Sequence, residues 1–378
     1  MRARRVFFDI TDLINNPVRT GIQRIERELM RHWPGPTPLT PCYFDKQKGG
    51  FVVLPGKVIE FFMASAVGDV SVAEERARLQ PLAARARLLN ESEPYDCFLN
   101  TELFFDEARA NAYVWLAKAY RLRLYWLVMD FIPFLRPEQF PDVHIKDCMH
   151  FLRALRNIRK VAFISEKTLL DYSRRILRQT ASPAPVFPPG GDGLDLPLQS
   201  FEPGRRLFVA VGTIEPRKNV ASTLEAFERL WRAGSVAELT LVGNVNESAN
   251  KERHILERLA GEPRLQSVGP VSDERLRRIM MRARATVFVS KSEGFGVPPY
   301  ESLAVGIPVI VTEDLPSIQL IPPLGQIRLP RPDADSIAAA VAKLMNDEFA
   351  RGLWREAANV RIPTWKDFAR RVSAWVQE

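Results

Sequence analysis

Short runs of apolar, mostly β-branched residues alternate along the chain with longer stretches whose apolar positions recur every three or four residues. A compact apolar run suits a strand buried on both faces, and the three-to-four spacing suits a helix with one buried stripe. Strands are expected over Arg5–Ile10, Phe51–Leu54, Asp96–Leu99, Leu122–Asp130 and Lys160–Ile164, then over Arg206–Gly212, Glu238–Gly243, Ala285–Val289 and Ile307–Thr312. Helical spacing predicts helices over Gly21–Met30, with Ile22, Ile25, Leu29 and Met30 on one face, and over 108–120, 146–158 and 166–179, the last capped by Ser165. Further helices are expected over Val220–Trp231, 250–260 and 273–284, and from about Pro298 onward. Strands regularly followed by helices predict parallel sheets with helices on both faces, an α/β fold.

The pattern breaks sharply once, over Ala181–Asp195, where proline and glycine are too dense to continue a helix. A break there divides the chain into an expected first domain over 1–188, a connection over 189–204 and a second domain over 205–361; 378 residues are enough for two cores. Trp365–Trp375 again has the form of an amphipathic helix. Asp333 and Asp335 resemble a metal-binding Asp-x-Asp pair, but a helical stripe of Ile337, Val341, Leu344 and Met345 follows at once, so they are read as helix capping.

The densest chemistry lies between Ser290 and Ile310. Gly294 and Gly296 allow close backbone approach, and Pro298 and Pro299 suit the first turn of a helix. The N–H groups of residues 294 to 297 then face the carboxyl end of the preceding strand, a place for an anionic or hydroxyl-rich ligand. Glu293 stands in the loop and Glu301 about one turn into the helix, so both carboxylates can accept hydrogen bonds from hydroxyls in one crevice. Upstream, Thr213-Ile-Glu-Pro-Arg217-Lys218-Asn219 puts two cations at the mouth of the helix Val220–Trp231. There they can neutralise a diphosphate, with charged hydrogen bonds contributing about 1.5–3 kcal/mol each. Arg217 is either a second cation or a neighbour facing solvent. Gly243 closes the next strand on the same side, and backbone groups around Val271 can pair with a nucleobase edge. In the first half, Arg19-Thr20-Gly21 is either a ligand approach or a plain connection, and Asp130, ending its strand, either reaches a ligand or caps the following turn.

Glu293 through Glu301 resembles the Glu-x7-Glu motif of family 4 of the retaining glycosyltransferases. Residues 211–219 resemble that family's phosphate-binding signature, especially in its bacterial mannosyltransferase-like branch, and Val268–Leu276 is similar to the segment packed against the nucleotide base. The resemblance covers roughly residues 205–320 and implies the GT-B architecture, two Rossmann-like domains facing a central cleft with a C-terminal helix, 362–378, crossing back to the first domain. It implies a retaining hexosyltransferase, GDP-mannose-dependent as first choice, acting on a glycan or lipid-linked oligosaccharide in bacterial surface polysaccharide or lipopolysaccharide synthesis. Carried onto this chain, Glu293, Asp130 and Lys218 would be catalytic. The donor would be held by Gly21, Thr213, Arg217, Lys218, Asn219, Gly243, Val271, Glu293, Gly294, Phe295, Gly296, Val297 and Glu301, with Glu301 on the ribose and Lys218 on the diphosphate. The chain departs from the family at Met129-Asp130, where a His-Asp pair is common. Methionine cannot donate a hydrogen bond to a sugar, which leaves a second reading, a weak nucleotide-sugar-binding relative acting as an assembly subunit.

Composition narrows the field. Cys42, Cys97 and Cys148 lie far apart with no C-x-x-C, and His144, Cys148 and His150 do not make a three-ligand set, so neither disulfides nor a metal is expected. No G-x-G-x-x-G follows the first strand, which argues against a dinucleotide oxidoreductase. No cofactor is expected, the nucleotide sugar being a substrate. A net charge of +8 favours anionic partners: the nucleoside diphosphate sugar, a polyprenyl-diphosphate-linked acceptor and the inner membrane surface. Arg153, Arg156 and Arg159 form either a solvated face or a headgroup patch. Basic residues spread along the chain without a recognition signature exclude nucleic acid. The first ten residues are too short an apolar stretch for a signal peptide, and no apolar run is long enough for a membrane span, so a cytoplasmic or peripheral protein is expected.

Overall fold

The computed structural model describes residues 5–17, 21–64, 72–89, 96–119, 122–140, 145–179 and 183–378. They fall into two units, Met1–Pro189 with Trp365–Glu378, and Gly190–Thr364.

The first unit is built on β1 (Val6–Asp9), β2 (Leu39–Asp45), β3 (Gly50–Val53), β4 (Arg87–Leu88), β5 (Cys97–Asn100), β6 (Arg123–Val128) and β7 (Lys160–Phe163). Their order across the sheet is β4-β3-β2-β1-β5-β6-β7. The strands β2, β1, β5, β6 and β7 run parallel, and β3 and β4 add an antiparallel edge. All four residues of β1 and of β5 are buried, as continuous apolar runs require in a sheet covered on both faces. An aromatic cluster fills one side: Phe51 meets Tyr113 at 4.8 Å between ring centroids, and Tyr113 meets Trp126 at 4.9 Å, both edge-on. The helix Trp365–Gln377 belongs to this unit. It packs on the helix Gly21–His32, sets Trp375 edge-on to Tyr125 at 5.0 Å and receives a bond from the Cys97 thiol at the Val376 carbonyl. The apolar stripe Trp365, Phe368, Val372, Val376 makes that docking possible.

The second unit contains β8 (Leu207–Val211), β9 (Glu238–Val242), β10 (Leu265–Ser267), β11 (Ala283–Phe288), β12 (Val309–Thr312) and β13 (Gln326–Leu329). They form an all-parallel sheet in the order β10-β9-β8-β11-β12-β13. Relabelled within the unit this is 3-2-1-4-5-6, the dinucleotide-binding order, in which the chain reverses direction of growth between the first and fourth strands. That reversal leaves a crevice at the carboxyl ends of β8 and β11. The first unit has the corresponding reversal between β1 and β5.

Several expectations are corrected by packing. Residues 190–204, expected as part of a connection, belong to the second unit: Gly191 N–H donates to Pro363 O at 3.0 Å, Gln199 N–H to Val305 O at 2.8 Å, and Leu194 is buried. The helix expected over 273–284 ends at Met280, and β11 starts at Ala283 rather than Ala285. Arg284 hid that start, since an arginine is unusual in a buried strand. It is buried because its guanidinium reaches Leu344 O at 2.7 Å and Asp347 at 2.6 Å. The 166–179 helix is an α-helical turn, Glu166–Leu170, continued by a π-helical turn over Asp171–Ile176. Asp333 caps the helix Ala334–Met345 by accepting from Ser336 N–H at 2.8 Å. Among the described residues no helix is long and apolar enough to cross a membrane.

The carboxyl ends of β8 and β9 touch through glycine alone. Gly243 has φ +146°, and a Cβ there would lie 2.1 Å from the Gly212 carbonyl oxygen. Gly243→Ala is expected to destabilise the second unit by more than the ~1–3 kcal/mol of backbone strain alone, because backbone must also move aside. An unchanged thermal midpoint in that variant would refute this.

Candidate functional site

The switch point of the second unit brings two loops together. After β8, Gly212 N–H donates to Val242 O at 2.9 Å and Ile214 N–H to Asn244 O at 2.7 Å. The chain then makes a tight turn over Pro216–Lys218 and passes through Asn219 in the left-handed region, φ 58° and ψ 30°, before the helix Val220–Arg232. Asparagine is one of few residues other than glycine that takes this conformation readily. Its side chain is buried, donating to Pro332 O at 2.6 Å and accepting from Ser222 at 2.8 Å. The second loop, after β11, is tied to this turn by Lys291 N–H on Arg217 O at 2.7 Å and by Arg217 Nη1 on Ser292 O at 3.3 Å.

Through those ties Arg217, Lys218 and Glu293 become direct neighbours. Lys218 Nζ is 2.6 Å from Glu293 Oε1, and Arg217 Nη1 is 3.1 Å from Glu293 Oε2 while its Nη2 reaches Glu215 at 2.7 Å. Arg217 is therefore a member of the cluster, with only 19% of its side chain exposed, and not a solvent-facing neighbour. Lys218 also lies 5.1 Å above the Phe288 ring at the end of β11. Burial opposes the charge on Glu293, but Lys218 and then Arg217 outweigh it and hold the carboxyl below its ordinary value. On Lys218 burial wins: it holds the ammonium below its usual value in spite of Glu293, and Arg217 adds to the lowering. An ammonium in that state gains from any further anion brought to it.

The remaining sequence-chosen residues divide by what their side chains do. Gly296 is the left-handed cap, φ 92°, of the helix Val297–Ala304, and a Cβ there would meet the Leu315 side chain at 2.9 Å. Phe295 is buried edge-on against Tyr300, so only its backbone borders the loop, and its carbonyl accepts from Ser317 N–H at 3.0 Å. Val297 opens the helix, and Glu301 lies buried one turn further in, lining a small cavity with Val211, Phe288 and Pro298. Phe288 is thus shared by Lys218 and Glu301. Thr213 lines the neighbouring cavity with Lys218 and Ser290, and Gly243 N–H donates to Gly269 O at 2.9 Å. Val271 is half-buried against the core, and the adjacent Ser272 caps the helix Asp273–Met280.

In the first unit, Arg19 and Thr20 lie outside the described residues. Gly21 begins the helix Gly21–His32 without positive φ, and a Cβ there would meet nothing within 4 Å, so the backbone does not demand glycine. Asp130 accepts from Ile132 N–H at 3.0 Å, a turn bond to the residue two ahead, while Phe131 stands at the N-cap of the short helix Ile132–Leu135. Met129 is buried and its carbonyl accepts from Thr168 at 3.2 Å. Sequence reasoning missed Glu215, the second carboxylate of the cation cluster, and a buried network at the first unit's switch point. There Arg109 joins Asp9, at the end of β1, to Glu102, just past β5. An acid closing an apolar strand, as in Val6–Asp9, was the one readable signal for that network.

Two parallel sheets with this strand order and C-terminal helix define the GT-B fold. Sucrose-phosphate synthase from Thermosynechococcus elongatus superposes with a TM-score of 0.66 at 14% identity, covering 98% of each chain. Anabaena HepE, in complex with UDP and glucose, gives 0.65 at 13% identity, again over 98% of each chain. At these identities the likeness is one of fold.

Residues 198–361 match the family model described as Glycosyl transferases group 1. The chain is 41% identical over 117 residues to the serotype-specific mannosyltransferase WbdA of Escherichia coli, 29% of this chain and 13% of that protein. It is 30% identical over 152 residues to the O-antigen chain mannosyltransferase B of Escherichia coli, 40% of this chain and 39% of the relative. The matches thus span well under half the length of these curated relatives.

Because Glu293 is held below its ordinary value, its contribution to stability is present above the unfolded carboxyl value of 4.5 and is lost as pH falls through the lower, folded value. Glu293→Gln, which takes this partner from two cations whose side chains are 19% and 15% exposed, is expected to cost less at neutral pH than the ~3–5 kcal/mol of a fully buried pair. The variant should then show a shallower fall in thermal midpoint below pH 4.5 than the parent protein. Parallel acid limbs in the two proteins would refute it.

Proposed function

We propose that the protein is a glycosyltransferase that moves a hexose, mannose as first choice, from a nucleoside diphosphate donor to a glycan or lipid-linked oligosaccharide in bacterial surface polysaccharide synthesis. The observation that carries this reading is the buried cluster of Arg217, Lys218 and Glu293 at the β8/β11 switch point, inside the segment that matches Glycosyl transferases group 1. A diphosphate brought there supplies the extra negative charge that Lys218 lacks, and Glu293 accepts hydrogen bonds from sugar hydroxyls. Glu301 holds the ribose. The named activities of WbdA and mannosyltransferase B support mannose as the sugar and O-antigen as the kind of product.

Charge builds on the leaving diphosphate in the transition state, so cations and N–H groups set in advance are the main catalytic means. In this reading transfer is retaining, on the front face of the donor, with the diphosphate helping to deprotonate the acceptor and no metal taking part. The protein works inside the cell, in peripheral contact with the membrane that carries its acceptor.

Calorimetric titration with a panel of sugar nucleotides, with and without EDTA, tests the reading. Binding of one nucleotide series, unaffected by EDTA and lost in Lys218→Ala, is expected; failure of every member to bind would overturn it. Glu301→Ala should raise the dissociation constant for the nucleotide more than it lowers turnover at saturation. An unchanged affinity in that variant would remove the ribose assignment.

A further inference from the structure

Two helices of the first unit, Glu107–Ala119 and Ile145–Leu155, pack against each other. Each buries one stripe: Arg109, Ala110, Tyr113 and Leu116 on the first, and Cys148, Phe151, Ala154 and Leu155 on the second. The opposite stripes are exposed, Asn111, Trp115 and Lys118 on the first helix and Lys146, Met149 and Arg153 on the second. Their three- and four-residue spacing puts each set on one helix face. Arg153 joins the two faces, since its guanidinium donates to the Asn111 carboxamide oxygen and lies 3.9 Å from Glu107. The stripes therefore make one surface. Arg156, whose N–H donates to Leu152 O at 3.2 Å, continues it past the end of the second helix, and Arg159 beyond it is exposed as well.

Two features set this surface apart. Trp115 is 52% exposed and Met149 51%, whereas the other tryptophans are buried or half-buried. Charge here is also of one sign. Lys118, Lys146, Arg153 and Arg156 are exposed cations, and among the described residues of the two helices the exposed acid is Glu107, already beside Arg153. A solvated helix face ordinarily interleaves both signs. An indole has an apolar body and a polar N–H, and it settles at the boundary between lipid headgroups and acyl chains. Lysine and arginine carry their charge on long stems, so they can hold anionic headgroups while the apolar side chains between them enter that boundary.

We propose that the outward face of these two helices is where the protein sits on an anionic lipid surface, with Trp115 and Met149 in the headgroup layer and Lys118, Lys146, Arg153 and Arg156 on lipid phosphates. This names the surface behind the membrane contact in the proposed function and rests on that reading for its role. The lipid binding itself stands on the first unit alone.

Flotation of the full chain with lipid vesicles tests it. Vesicles of phosphatidylglycerol and phosphatidylethanolamine should carry the protein, vesicles of phosphatidylcholine should not, and added salt should release it. Lys118→Glu combined with Arg156→Glu should lower the partition coefficient by at least about tenfold. Arg282→Glu combined with Lys343→Glu makes the same change of net charge at exposed positions of the second unit and should lower it far less. Quenching of tryptophan fluorescence by brominated lipid is expected in the parent protein and largely lost in Trp115→Phe, which keeps an aromatic ring on the surface. No binding to the anionic vesicles, equal binding to both vesicle types, an equal fall in the two double variants, or unchanged quenching in Trp115→Phe overturns the proposal. The parent-protein measurements hold even if a variant does not fold. Nucleotide titration without vesicles reads the donor site separately, so failure of one reading leaves the other standing.

Discussion

A lysine ammonium taken out of water must meet negative charge, and the second unit is arranged around that requirement at Lys218. Glu293 is the carboxylate that meets it, at 2.6 Å. Backbone does much of the fixing: the left-handed turn at Asn219 that aims Lys218, the left-handed Gly296 that ends the loop carrying Glu293, and the Lys291 to Arg217 bond that joins the two loops, with the Arg217 side chain adding its bonds to Ser292 O and Glu293. The loops in turn depend on β8 and β9 meeting at Gly212 and Gly243 with no side chain between them. Charge and strand packing therefore constrain each other. The cluster can stay assembled without ligand because two carboxylates, Glu215 and Glu293, balance its two cations.

The two units solve the same topological problem with opposite chemistry. Each leaves a crevice where its strand order reverses, and each puts charged side chains there. In the second unit cations and carboxylates are paired one to one, and burial still weighs on Lys218, a state that added negative charge relieves. In the first, among the described residues, Asp9 and Glu102 both meet the buried Arg109.

How much of this the residues disclosed depended on whether a pattern was local. Val287 and Val289 sit in an apolar run that a parallel sheet demands, and Gly294, Gly296 and Pro298 mark the loop and helix start by their backbone preferences alone. The motif order 213–219 and 293–301 was legible for the same reason. By contrast β2 reads LTPCYFD, with a proline and no alternation, and it is a strand because β1 and β3 flank it. Residues 190–204 have the composition of a connection, yet their bonds to Val305 and Pro363 come from segments more than a hundred residues away. Arg109 falls in the expected helix over 108–120 with nothing local to mark it as buried. It is buried because Asp9, ending β1, and Glu102, in the loop just past β5, converge on it.

The uneven reach of the likenesses has a physical reading. Structural superposition extends over 98% of the chain at 14% identity, whereas the family match stops at residues 198–361. A sheet with helices on both faces needs only apolar strands and helix stripes, which many sequences supply. Holding a buried cation cluster at a switch point needs particular residues: glycine where strands touch, a left-handed turn, and a carboxylate within hydrogen-bond reach of lysine. The second unit meets those demands between Gly212 and Glu301, and there the sequence is restricted enough for relatives to be found by sequence. The first unit's network of Asp9, Glu102 and Arg109 is as specific in geometry, but its members are spread over a hundred positions with no fixed local spacing, so it leaves no motif. A site can be chemically exacting and still invisible to sequence comparison when its parts are joined only by the fold.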